Sequence, residues 1–335
     1  MTKDMRSFPR LLLAALLLAL LAVAPPASAK QKVQKLKPVS GALKAKVGIA
    51  DQKSAFFTDP QFQALGLKLA RRSVAWDTMQ YDWQVQDVDG WLRAARADGV
   101  TPVITFARSR IDSRRHLKPT PAQYRAAFVK FRQKWPWVKE FVATNESNHY
   151  GETTGRNPKL AAQYYKQLRS VCKTCKVAAA TLVDYPNLVS WTKSFVKAAG
   201  EQPKYWALHN YVSANRFDAT RTKQLLQATT GQIWLTEVGG LVKKKNNGGA
   251  RLKQGTAHAA KVTDYIFNHL ARVSPRISRI YLYHWDAEAG PTTWDSWLVD
   301  AKGKPRPALT TLKKFLKCSR KGGIEKLGTK GKKKK

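Results

Sequence analysis

The chain has 335 residues, of which 60 are Lys or Arg and 22 are Asp or Glu, giving a formal charge of +38. Hydrophobic residues make up 43% and aromatic residues 10%, enough for a sizeable packed core, which excludes a chain disordered throughout. The charge says nothing about fold but predicts adhesion to anionic polymers. Residues 1–29 read as a secretory signal: Lys3, Arg6 and Arg10 form a basic region, residues 11–23 an apolar one, and Ala27-Ser28-Ala29 a small-residue cleavage site. That apolar run is too short to span a bilayer comfortably. No transmembrane segment is expected after signal cleavage, and the mature protein is expected to be secreted, extracellular or cell-wall associated. Its polyanionic partners there would be cell-wall polymers, acidic polysaccharide or lipid headgroups, with nucleic acid disfavoured.

Residues 30–45 are lysine-rich without clear periodicity and read as a basic linker. Residues 319–335 form a Lys-rich tail closing on four lysines. Both are predicted to be disordered and solvated. Between them apolar strand patterns alternate with amphipathic helix patterns. Strands are predicted at 46–51, 68–77, 102–107, 138–146, 176–184, 205–211, 233–238 and 277–286. The helices between and after them fall at 60–67, 87–98, 121–134, 158–171, 188–199, 219–228, 257–272 and 309–316. Thr120-Pro121 and Asn157-Pro158 supply an N-cap followed by proline at the first helical position, and Gly200 supplies a C-terminal stop.

Eight strand–helix pairs predict an α/β chain with a single (β/α)8 TIM barrel over 46–318. The strands are near-continuous apolar runs, as strands covered on both faces of a parallel sheet should be. An open doubly wound sheet is the main rival, but Gly48-Ile49-Ala50-Asp51 lacks the glycine spacing of a dinucleotide turn. Cys172 and Cys175 form a CxxC at a helix end and could close a small disulfide loop in an oxidising compartment. Cys318 is left over, free or paired with one of the others. No His-x-His or HExxH spacing points to a metal, and no cofactor motif is present.

In such a barrel, chemistry collects at the carboxyl ends of the strands. Strand two offers Arg71, Arg72, Trp76 and Asp77; strand three offers Arg108. Strand four ends Asn145-Glu146 and strand five Asp184-Tyr185. Strand six ends His209-Asn210-Tyr211, strand seven Glu237, and strand eight His284-Trp285-Asp286. Two carboxylates at separate strand ends suit hydrolysis of a glycosidic bond, which needs one on each side of a sugar.

An Asn-Glu ending strand four, a lone Glu ending strand seven and a His-x-Tyr ending strand six resemble the retaining glycoside hydrolases of the clan with a 4/7 catalytic barrel (clan A), including its cellulase-like and Asl1-like glucanase families. The tract Leu298-Val299-Asp300 through Gly303 to Arg306-Pro307-Ala308 is similar to a stretch that follows strand eight in this clan. One departure is Ser147, which stands where the clan usually has proline. The resemblance implies Glu146 as general acid and then base, with a raised proton affinity, and Glu237 as the ionised nucleophile. It implies Asn145 on the sugar 2-hydroxyl, with His209 and Tyr211 orienting the nucleophile or meeting substrate. Arg71, chosen over Arg72 by its spacing to Trp76, would keep Glu237 charged. Trp285 would stack on the sugar at the point of cleavage, and Trp76, Trp83, Trp294 and Trp297 would add further subsites. The expected activity is cleavage of β-glycosidic bonds in a polysaccharide or oligosaccharide by double displacement, without cofactor or metal. The alternatives are a non-catalytic barrel that binds cell-wall glycan and is tethered by its basic tails, and a basic nucleic-acid-binding protein.

Overall fold

The computed structural model describes residues 36–245, 250–287, 290 and 292–320. The predicted signal and most of the Lys-rich tail lie outside the described residues. Eight parallel strand positions run around the barrel: β1 Lys46–Ala50, β2 Leu69–Ala75, β3 Thr101–Ala107, β4 Glu140–Val142, β5 in two pieces, Lys176–Ala178 and Thr181–Val183, β6 Tyr205–His209, β7 Gln232–Val238 and β8 Ile277–Tyr283. β1 pairs with both β2 and β8, so the first and last strands are neighbours. Ladders join the remaining strands in sequence, with the first piece of β5 on β4 and the second on β6. The break between the pieces is bridged on both sides. Ala143 N–H donates to Ala178 O (3.1 Å) and Thr181 N–H to Thr144 O (2.8 Å), while Ala179 N–H donates to Tyr205 O (2.9 Å) and Ala207 N–H to Ala180 O (3.1 Å). The nine-piece sheet is thereby an eight-stranded (β/α)8 barrel.

The helices that follow the strands are α1 Pro60–Gln63, α2 Asp82–Ala97, α3 Pro121–Lys134, α4 Pro158–Val171, α5 Leu188–Ala199, α6 Thr220–Ala228, α7 Thr256–Asn268 and α8 Pro307–Arg320. α3 shows how local chemistry sets a boundary. Thr120 and Gln123 form a capping box, and Pro121 occupies the first turn, where its missing N–H costs nothing. α5 ends where Gly200 takes the left-handed conformation (φ 70°). Several expected boundaries differ; α1, for example, stops at Gln63 and not at 67. α2 begins at Asp82 rather than 87, because its polar first turn lacks the apolar periodicity and Gln84 is instead held by Thr78 Oγ1 (3.1 Å). α8 continues to Arg320, so the tail begins later than expected. β4 and β8 are shorter than their apolar runs because the chain bends out of the ladder at the rim.

The supposed linker also needs correcting where it is described. Leu36 and Leu43 pack against the core, Ala45 is buried, Val39 N–H donates to Arg272 O (2.7 Å), and Arg272 donates to Gly41 O (2.6 Å). Interleaved apolar residues dock this stretch on the barrel despite its lysines. Cys172 and Cys175 form a disulfide at the end of α4, and Cys318 is free. No helix among the described residues is long and apolar enough to cross a membrane.

Strand residues alternate between two cores. One set, including Ile104, Phe106, Phe141, Trp206, Leu208, Leu235 and Leu282, faces the helices. The other set fills the barrel: Ala50, Leu69, Val103, Val142, Ala178, Ala207, Trp234 and Tyr281. At the amino-terminal floor of the barrel, Arg279 makes a bidentate contact with Glu140 and lies 4.3 Å from the Trp234 ring centre, with Lys176 reaching Glu140 at 3.0 Å. Burial raises the proton affinity of Glu140, but Arg279 and then Lys176 outweigh it and hold the carboxyl below its ordinary range. Stability from this group is therefore fully present above the ordinary carboxylate value and is lost as pH falls through the depressed one. Glu140→Ala, which strands a buried guanidinium, is expected to cost about 3–5 kcal/mol in urea unfolding. Glu140→Leu combined with Arg279→Met should recover most of that loss and flatten the acid-side fall in Tm.

Candidate active site

The residues continuing the interior column toward the carboxyl end turn from apolar to polar. On β2 the alternation that places Leu69 in the barrel also places Arg71 there and turns Arg72 outward. Arg71 is fully buried. Its Nε donates to Thr105 Oγ1 on β3 (2.9 Å), one terminal nitrogen to Asn145 Oδ1 after β4 (2.8 Å), and the other to Glu237 Oε1 on β7. A buried guanidinium is tolerable only when its charge and its donors are met on the spot, and three strands supply those partners. Arg72 instead donates to the backbone carbonyl (2.8 Å) and the carboxylate of Asp87.

Glu237 reaches the mouth through a register shift. Leu208 pairs with Leu235 but His209 pairs with Glu237, so Thr236 is an extra residue on β7. The bulge turns the glutamate into the barrel, as bulges near active sites commonly do. Tyr211 donates to Glu237 Oε2 at 3.4 Å. Burial first, and then the Glu237 charge, push the Tyr211 phenol well above its ordinary range, so it remains a donor.

Glu146 is aimed by different means. It has φ +39°, an uncommon conformation for a residue with a side chain. The next residue holds it there: Ser147 N–H donates to Thr181 O (2.7 Å), and its hydroxyl meets Thr144 Oγ1. A proline at 147 would have no N–H for that bond, which accounts physically for the serine. His209 then links the two carboxylates. Its Nδ1 lies 3.0 Å from Glu146 Oε1, and its Nε2 lies 3.5 Å from Glu237 Oε1. Burial acts to raise the proton affinity of Glu146. The hydrogen bond and charge of His209, followed by His149 and Arg71, outweigh burial and leave the carboxyl below its ordinary range. The raised affinity expected from the sequence is not the balance found, because the hydrogen bond from His209 and the nearby charges outweigh burial.

A cavity of about 540 Å³ opens over these groups, lined by Glu146, His209, Tyr211, Glu237, Tyr283, His284, Trp294 and Trp297, among others. Trp294 meets Tyr211 edge-on at 4.8 Å, and His284 stacks between Tyr283 (4.1 Å) and Trp297 (4.5 Å). Three sequence-derived candidates lie elsewhere, among them Trp83, half exposed at the start of α2 against Arg110. Trp285 is fully buried, edge-on to Phe62 at 5.6 Å, with its indole N–H on Asp59 (2.7 Å), so neither ring face is open to a sugar. Tyr283 and His284, its neighbours at the end of β8, line the cavity instead. Trp76 is buried beside a small separate cavity with Phe106, Tyr124 and Glu152, and Arg114 lies 5.8 Å from its ring centre. Asn145 lines that small cavity too, but its side chain reaches the site through Arg71.

Glu152 was not anticipated. It sits on the loop after β4, and burial pushes its carboxyl up to about 7 against the pull of Arg108. Its sequence neighbourhood of Gly and Thr reads as plain loop, so no local signal marks it. His284 was seen only as a strand-end residue; burial drives its imidazole far below its ordinary value, so it is neutral.

The fold recurs in enzymes of distant sequence. A family 39 glycoside hydrolase from Bacteroides cellulosilyticus WH2 superposes with TM-score 0.56 at 13% identity, over 82% of this chain and only 64% of that one. Xylanase 10B of Thermotoga maritima gives 0.59 at 10% identity, over 84% and 96%. A family 128 endo-β-1,3-glucanase from Amycolatopsis mediterranei, in complex with laminaripentaose, gives 0.51 at 15%, over 80% and 98%. At these identities the likeness is one of fold. No curated protein sequence matches the chain. The family pattern described as glycosyl hydrolase catalytic core matches residues 76–311, across the strands that carry Asn145, Glu146, His209, Tyr211 and Glu237, and the chain belongs to that family.

Proposed function

We propose that this glycosidase is a retaining enzyme that cleaves β-glycosidic bonds of a polysaccharide or oligosaccharide by double displacement. The observation that carries the reading is that both carboxylates line one cavity around His209, Glu146 at 3.0 Å from Nδ1 and Glu237 at 3.5 Å from Nε2, yet their surroundings differ. Glu237 is bound by a buried guanidinium and a phenol, surroundings that suit the group that attacks the anomeric carbon. Among the described residues the Glu146 side chain pairs only with His209, and it is 30% exposed in the cavity. A sugar filling the cavity removes water from Glu146, strengthens the burial effect and so raises the carboxyl's hold on the proton that the leaving oxygen needs. Asn145, fixed by Arg71, would meet the 2-hydroxyl, and Trp294 would offer an aromatic wall for a pyranose ring, whereas Trp297 is largely buried against His284. The β-linkage and polymeric substrate draw support from the xylanase and glucanase that share the fold. The sequence of residues 1–29 supports action outside the cytoplasm.

Glu237→Gln and Glu146→Gln should each lower kcat by about 10²–10⁴-fold on an activated or natural β-glycan, and ¹H NMR of the first product formed should show the anomeric configuration of the substrate. Inverted initial product would end the double-displacement reading. His209→Asn removes the group that holds Glu146 down. The Glu146 carboxyl should then titrate higher by ¹³C NMR, and the pH limb of kcat/KM set by loss of the acid's proton should move to higher pH.

A further inference from the structure

A second depression lies on the same face, over the ends of β1, β2 and β3. It encloses about 710 Å³ and is lined by Lys53, Arg72, Arg108 and Arg110, with Asp87 the one carboxylate among its lining residues. Arg72 is buried, and its Nε has no partner among the described residues. Arg110 is half exposed, reaches Asp87 at 2.9 Å, and holds its guanidinium 4.7 Å from the ring centre of Trp83, itself half exposed at the start of α2. A guanidinium stacked on indole is pre-ordered for planar recognition of a carboxylate. Arg108 finds only the backbone carbonyl of Gly151 (3.2 Å) and, at 4.0 Å, Glu152, a carboxyl that burial leaves substantially protonated near neutral pH. Lys53 pairs with Asp286 (3.0 Å). Asp87 is shared between two arginines and Asp286 is engaged by Lys53, so the groove as a whole stays cationic.

The groove shares no lining residue with the main cavity, but two contacts tie its edges to segments that leave that cavity. Lys53 also donates to the Asp286 carbonyl (2.7 Å) just after β8, and its charge is felt by His284 in the cavity. Arg108 reaches the loop that leaves Glu146. A glycan seated on the aromatic side of the mouth and extending across it would therefore enter the cationic side.

We propose that this groove is a subsite for sugar units bearing a carboxylate, so that the substrate class is an acidic, uronic-acid-containing glycan. This rests on the glycosidase reading of the neighbouring cavity and deepens it. The cations sit within reach of a chain held by the cavity, which favours a charged sugar over a nucleic acid that would bind the basic surface without regard to the mouth.

The test is isothermal titration of the full chain carrying Glu146→Gln, in about 0.15 M salt to screen the general surface charge. The probes are matched pairs, cellohexaose and laminarihexaose, each against its C6-carboxylated form, and a thymidine dodecamer. The carboxylated member of at least one pair should bind about tenfold or more tightly than its neutral partner. Arg110→Ala and Lys53→Ala should each remove most of that preference while leaving neutral affinity in place. Equal affinities within both pairs, a preference untouched by both substitutions together, or a dodecamer bound as tightly with the same sensitivity would overturn the proposal. Hydrolysis by the parent chain is scored separately: preference without turnover keeps the groove and removes the enzyme, whereas turnover without preference keeps the enzyme and removes the groove.

Discussion

One buried positive charge organises the mouth of this barrel. Arg71 has no solvent to share its charge with, so its guanidinium must find an anion and two neutral acceptors within its own reach. It finds them on β3, after β4 and on β7, and in doing so fixes Asn145 and Glu237 relative to each other. Slipping any of these strands by one residue would turn the partner away and leave a buried ion uncompensated. The electrostatic need and the strand register therefore enforce each other, and the geometry of Glu237 follows from both.

The barrel interior repeats this arrangement at its other end. The Glu140–Arg279 pair closes the floor, Arg71 and the two glutamates occupy the mouth, and a girdle of small or branched side chains separates them. An eight-stranded barrel has room for side chains and little else. Ala50, Ala178 and Ala207 leave space that Trp234 and Tyr281 fill, so the interior is a packed column with charge at each end. Long basic side chains are usable there only because each ends on a carboxylate supplied by a strand across the barrel.

The mouth itself is chemically divided. Over the ends of β4 to β8 the lining is aromatic and carboxylic, suited to sugar faces and hydroxyls. Over β1 to β3 it is guanidinium and ammonium. The same alternation that sends Arg71 inward sends its neighbour Arg72 outward, so two adjacent arginines on one strand serve the two halves. Lys53, Arg72, Arg108 and Arg110 thus gather beside the site.

Much of the fold was legible because it is written in local terms. Proline after an N-capping residue and glycine at a helix end set α3, α4 and α5 at the residues expected, and apolar runs of strand length located every barrel strand. Boundaries were misread where tertiary contacts override local pattern: α2 starts a turn early on a buried glutamine, and residues 36–45 dock on the barrel in spite of their lysines. Within the site, strand ends told which residues reach the mouth but not which way they turn there. The bulge at Thr236, the left-handed Glu146 and the burial of Trp285 depend on pairing partners far away in the chain. By itself the sequence determined the succession of strands and helices and the polar character of their ends, because periodicity and capping act over a few residues. Only the tertiary structure decided that His209 stands between the two glutamates, that burial raises the proton affinity of Glu152 and lowers that of His284, and which tryptophans remain open, because proton affinity and exposure are set by groups that meet only after the barrel has closed.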